Sequence, residues 1–197
     1  MSDDAAAPEP AGHAEDPPIS EEELMRYTMQ YARKQERDQA EVTTDADGNP
    51  YPRLDLDGPP PATDDPLLRV GYALLAELPD EWEYALLIVS AAADEVRTWV
   101  IVKVPSDDVT AMRNLFYLPR VAEAAAALRR ATHEPEGRGA WYTLTVRLER
   151  TGALKPRYDY ESPPFMTWGP GEVELLRRDQ ELYPRDPAKL PDWHPAR

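Results

Sequence analysis

The chain has 197 residues, a formal net charge of −15 and no cysteine, which excludes disulfides, thiolate metal sites and a catalytic thiol. Such acidity argues against a phosphate backbone as partner and favours a basic one. The 22 prolines, about twice average usage, gather at 8–18, 50–66 and 163–195, outside the strongly periodic segments.

Charge is uneven: residues 1–66 carry 17 acidic and 5 basic side chains, and residues 67–197 carry 20 and 17, so the core is almost neutral. Residues 1–19 hold almost no bulky apolar side chain to offset the entropy of ordering and are expected to form a disordered acidic tail. Their start, Met1-Ser2-Asp3-Asp4, has neither a basic stretch nor an apolar run, which argues against a signal peptide. No apolar stretch is long enough to span a membrane, so a cytoplasmic protein is expected.

Residues 20–65 read as a helix followed by a Pro/Asp-rich connection. Ser20-Glu21-Glu22-Glu23 is a capping box, the acids sit at the helix start and Arg33, Lys34 and Arg37 at its end, and Leu24, Tyr27 and Tyr31 make a narrow apolar stripe. Asp45-Ala46-Asp47-Gly48-Asn49 opens like a calcium loop. It fails as one because Pro50 and Leu56 stand where that loop needs glycine and a bidentate acid, so a turn is expected, with Tyr51 to Leu56 as an edge strand.

Residues 66–197 read as a single α+β domain with an irregular C-terminal arm. Asp65 and Pro66 cap a helix whose Leu67, Val70, Gly71, Leu74 and Leu78 recur at helical spacing and which stops at Pro79. Trp82 to Val89 and Val96 to Val104 make an antiparallel hairpin whose strands are apolar on both faces, so both faces are expected to be covered. Asp107-Asp108 reads as the cap and first turn of a short helix. Pro119 to Ala131 is an alanine-rich helix with Val121, Ala124, Ala125 and Leu128 on one face. Trp141 to Leu148 alternates as a half-buried strand, turns at Thr151-Gly152 and returns through Leu154, Tyr158 and Tyr160. A last helix covers roughly 172 to 183. The expected fold is therefore an antiparallel sheet built from two hairpins and packed by helices.

Catalytic patterns are missing from the sequence. His13, His133 and His194 lie in expected tails or loops, and read as solvated residues with no acid at ligand spacing. There is no nucleophile elbow, phosphate loop, dinucleotide fingerprint or metalloprotease helix. Acids are too abundant for a glycosidase-type pair to carry weight without a cleft. No enzyme activity, cofactor or metal is expected.

Two stretches carry a resemblance. Leu78-Pro79-Asp80-Glu81-Trp82-Glu83-Tyr84 leads into the first hairpin, and Trp141 to Tyr160 forms the second and closes on Tyr158-Asp159-Tyr160. In their order, over residues 66–183, they resemble the YezG-like antitoxin family, which includes immunity proteins of EsaD-type secreted nucleases. The resemblance implies an acidic, non-catalytic bacterial immunity protein that binds and neutralises a cognate toxin encoded nearby, with no nucleic acid or membrane partner. A nuclease groove is basic because it binds phosphates, so an acidic surface can occupy it. Candidate partner-binding residues are the hairpin acids Asp94 and Glu95, Asp107 and Asp108, and Asp159 and Glu161. Trp99, pointing away from Val100 and Val102, is the candidate aromatic anchor, and Trp168 and Trp193 are further aromatics in irregular segments. The alternative is an adaptor or regulator that binds an endogenous protein.

Overall fold

Asp65 starts the first helix by accepting hydrogen bonds at Oδ1 from the amides of Leu67 at 2.8 Å and Leu68 at 3.2 Å, and Pro66 occupies the position where no amide donor is needed. In the computed structural model, which describes residue 44 and residues 48–106, 111–165 and 169–197, this helix is α1 (Pro66–Leu75). It is followed by β1 (Tyr84–Ala92), β2 (Glu95–Lys103), β3 (Met112–Phe116), α2 (Pro119–Ala131), β4 (Thr143–Glu149), β5 (Leu154–Asp159), α3 (Pro170–Leu182) and a 3-10 turn at Pro187–Lys189. The expected tail 1–19, the helix from Ser20, His13, Asp107-Asp108 and Trp168 lie outside the described residues.

The strands form one antiparallel five-stranded sheet in the order β3-β2-β1-β4-β5. The fold is α+β, as the patterning implies. Both expected hairpins are present, with Leu87 opposite Val100 on β2 and Val146 on β4, and Leu148 opposite Leu154. Because side chains alternate across a strand, Ala85, Leu87, Val89 and Ala91 share one face with Val100, Val102, Leu144, Val146, Leu148 and Leu154. All are buried in one cluster with Val70 and Leu74 of α1 and Val121, Ala125 and Leu128 of α2. Each fully buried Val or Leu contributes roughly 1.5–3 kcal/mol. Leu86 and Ile101 are buried on the opposite face, so the central strands are apolar on both sides, as their sequence reads.

Trp82 and Leu54 join the main core. A second, smaller cluster joins Ala92 and Tyr142 to Phe165 and to Leu176 of α3. Gly71 permits close packing: a Cβ there would lie 2.5 Å from Leu154 Cδ1 and 2.9 Å from Leu54 Cδ2. At Gly152, φ is +85°, and this residue makes the β4–β5 turn where the sequence places it.

Three expectations are corrected. Tyr51 to Leu56 is no strand. It makes a single bridge, Arg53 to Ala153, flanked by hydrogen bonds from Leu54 N to Gly152 O and from Leu154 N to Pro52 O. Pro52 has no amide to donate, which stops the ladder there. The third strand, β3, adds an edge that the two-hairpin reading lacks. His194 is not solvated: it is 3 % exposed and stacks on Tyr142, with ring centroids 6.0 Å apart.

Candidate functional site

The register brings one end of the sheet together from distant parts of the sequence. Ala92 pairs with Glu95 across the β1–β2 turn, Ser90 lies opposite Thr143, and Thr143 lies opposite Asp159. The β1–β2 turn, with Asp94 and Glu95, and the exit of β5, with Asp159 and Glu161, therefore share one rim. Trp99 stands on β2, one position beyond Thr98, which lies opposite Val89. Asp107 and Asp108 lie outside the described residues.

Each acid of this rim has a specific local role. Asp94 reaches Arg178 of α3 at 3.3 Å, with both side chains exposed. Glu95 lies 3.3 Å from Arg97, whose guanidinium also lies 3.5 Å from Glu172 and 4.2 Å from the ring centroid of Phe165. Asp159 closes the chain after β5 by accepting hydrogen bonds from the amides of Glu161 at 2.8 Å and Ser162 at 2.9 Å. Burial alone raises the Asp159 pKa, but those amides, together with the Ser162 hydroxyl and the charge of Arg157, outweigh it and hold the carboxyl below its ordinary value. The side chain of Glu161 faces an open groove of about 590 Å³ lined by Glu134, Arg138, Lys189, Asp192 and Arg197. A smaller hollow of about 370 Å³, lined by Arg138, Arg157, Asp159 and Glu161, adjoins it.

Trp99 points to the face opposite Val100 and Val102, as its alternation implies. It stacks on Phe116 of β3 at 5.8 Å with an interplanar angle of 19°, and its Nε1 donates to Asn114 Oδ1 at 3.0 Å. Trp193 packs edge-on to Tyr142 at 5.0 Å and donates to the Glu161 carbonyl, tying the C-terminal arm to the rim.

Sequence reasoning missed the cations of this end and the buried network that holds it. Arg138 stacks on Tyr160 at 4.2 Å and pairs with Glu134 at 2.6 Å, so the groove is of mixed charge and not uniformly acidic. Beneath it, Arg129 of α2 and Asp179 of α3 are each 1 % exposed, with Arg129 Nη2 2.8 Å from Asp179 Oδ1 and 3.0 Å from Oδ2. Arg129 Nε donates to the Trp141 carbonyl at 2.8 Å, and Asp179 accepts from the Ala93 amide at 2.6 Å. The pair thus locks the β1–β2 turn and the start of β4 to both helices. Arg185 of the C-terminal arm, buried over the Tyr142 ring at 3.9 Å, donates to the carbonyls of Ala140 and Tyr160. The signal for Arg129 was present: four residues after Ala125 and eight after Val121, it falls on the apolar stripe of α2.

Among the described residues, no three His, Asp or Glu side chains gather as a metal site, and no helix is long and apolar enough to cross a membrane. In sequence, the chain matches no protein-family model and no curated protein.

Proposed function

We propose that the protein is an immunity protein that binds a toxin domain encoded beside it, with a nuclease the first candidate, and neutralises it by covering the toxin's active surface without chemistry of its own. The observation that carries this reading is the gathering of Asp94, Glu95, Asp159 and Glu161, drawn from two hairpins, on one rim of an antiparallel sheet. The strongly acidic residues 1–66 and the YezG-like order of the two hairpins support it.

The energetics suit exchange of partners. Asp94 and Glu95 are held by exposed arginines, and such surface pairs are worth about 0–1 kcal/mol each, so a cation of the toxin can replace Arg178 or Arg97 at little cost. Long-range attraction between an acidic chain and a basic groove speeds encounter and is screened by salt.

The test is a pull-down of the co-expressed toxin domain, with association rates measured at rising salt. Complex formation that slows with salt and weakens in the triple variant Asp94→Lys, Glu95→Lys, Glu161→Lys is expected. Asp159 is left intact because its carboxylate holds the chain after β5. A complex indifferent to both salt and these substitutions would refute the rim as the binding surface. No complex at all would refute the function.

A further inference from the structure

Among the described residues three large apolar or aromatic side chains are exposed, and two of them are neighbours: Phe116, 51 % exposed, and Tyr117, 94 % exposed. Their place follows from the register. β3 runs antiparallel to β2, from Met112 opposite Lys103 to Phe116 opposite Trp99, and so towards the end of the sheet where β2 begins at Glu95. Leu118 N donates to Thr98 Oγ1 at 3.3 Å, which holds the segment after β3 against β2. Glu95 lies three residues before Thr98 on β2, about 10 Å along a strand. Both aromatic residues therefore stand at the end of the sheet that carries Asp94 and Glu95.

Packing gives no reason for a tyrosine at 117. Its side chain buries almost nothing, and its backbone is held at φ +58°, a conformation that is an outlier for a bulky residue and suits glycine or asparagine. Strain of this kind clusters at binding sites and ligand clamps. A tyrosine ring has two rotatable side-chain bonds, so held out from a fixed backbone it offers a large contact area at small entropic cost. Phe116 is steadied on one side by its stack on Trp99 at 5.8 Å, and Trp99 in turn by its hydrogen bond to Asn114. Trp99 itself is half-buried, so it supports the exposed rings instead of presenting its own.

We propose, on the toxin-binding reading above, that Tyr117 with Phe116 beside it is the aromatic anchor of the rim, and that it docks on an apolar or aromatic platform of the toxin next to the cations that meet Asp94 and Glu95. A groove that binds single-stranded nucleic acid combines those two features, cations for phosphates and stacking surfaces for bases. The rim offers the matching pair, with carboxylates in the role of phosphates and a phenol ring in the role of a base. The separation of about 10 Å along β2 fits both within one interface, since a standard one buries about 800 Å² per partner. Tyrosine is among the residues enriched at the few positions that carry most of an interface's binding energy. Acids and ring then have separable effects: charge acts at a distance on the encounter rate, and an anchor acts after contact, on dissociation.

The experiment measures association and dissociation of the full chain with the toxin domain encoded beside it, at low and high salt, together with urea unfolding of each chain alone. Tyr117→Gly and Tyr117→Asn both suit the positive φ, so each is expected to keep or raise the urea midpoint while speeding dissociation by about tenfold or more. The salt dependence of association is expected to stay as in the parent. Tyr117→Phe keeps the ring and is expected to dissociate within a few fold of the parent, whereas the triple rim variant slows association instead. A Tyr117→Gly chain with a clearly lower urea midpoint assigns the residue to the fold and overturns the proposal, with no toxin needed. Dissociation of Tyr117→Gly and Tyr117→Asn at the parent's rate overturns it too, and leaves the charged rim in place. No complex with the wild-type chain removes the toxin-binding reading and the anchor with it.

Discussion

Asp179→Asn removes the carboxylate that faces a guanidinium only 1 % exposed. The amide oxygen of asparagine can still accept from Ala93 N, which Asp179 Oδ1 meets at 2.6 Å, so the substitution isolates charge from hydrogen bonding at the β1–β2 turn. Arg129 Nη1 already lacks an acceptor among the described residues, and in the variant Nη2 faces a neutral group as well. Stranding one charge of a buried pair costs about 3–5 kcal/mol. Domains of this kind have total stabilities of about 5–15 kcal/mol, so the variant should lose a large share of its stability. Replacing both partners, as Arg129→Met with Asp179→Leu, leaves no uncompensated charge and should recover most of the loss. Urea unfolding followed by tryptophan fluorescence reports it directly, since the Arg129 guanidinium lies 5.8 Å from the Trp141 ring. A single asparagine variant within about 1 kcal/mol of the parent would refute the reasoning that this pair holds the two helices to the turn.

Trp82→Ala should cost about 3–5 kcal/mol in chemical denaturation, because the ring is 5 % exposed in the main core. Gly71→Ala gains helix propensity of about 1 kcal/mol but drives a methyl into Leu154 and Leu54, so a net loss of about 1 kcal/mol is expected from urea midpoints. Burial, reinforced by the charge of Arg185, pushes the His194 pKa from 6.5 down to about 4. The folded protein therefore takes up this proton less readily than the unfolded chain: the stability contribution is present above about pH 6.5 and is lost as pH falls towards 4, by at most about 3 kcal/mol. His194→Gln should flatten that part of the pH–stability curve.

Elements with local punctuation were legible in the sequence. Asp65-Pro66 and Pro119 mark helix starts, Gly152 marks a turn through its positive φ, and the alternation of Leu144, Val146 and Leu148 sets which face is buried. β3 was not, because an edge strand buries little and needs no alternating pattern: Arg113, Asn114 and Phe116 are all exposed. Tyr51 to Leu56 looked β-like from composition, yet its pairing ends after one bridge beside Pro52. The rim acids could be named from the sequence, but not their partners. That Asp94 meets Arg178, or Arg138 lies over Tyr160, depends on long-range packing that no local pattern encodes. His194 read as solvated because histidine in a proline-rich arm usually is. Its burial depends on Tyr142 and Trp193, far away and adjacent in sequence respectively.

Neutralisation of a toxin by direct binding is tested most directly by growth rescue. If the proposed function holds, cells expressing a toxin domain encoded beside this chain should stop growing alone, grow when the wild-type chain is co-expressed, and grow less well with the triple rim variant expressed at the same level. Growth arrest that the wild-type chain leaves unrelieved, with both proteins present and folded, would contradict the account.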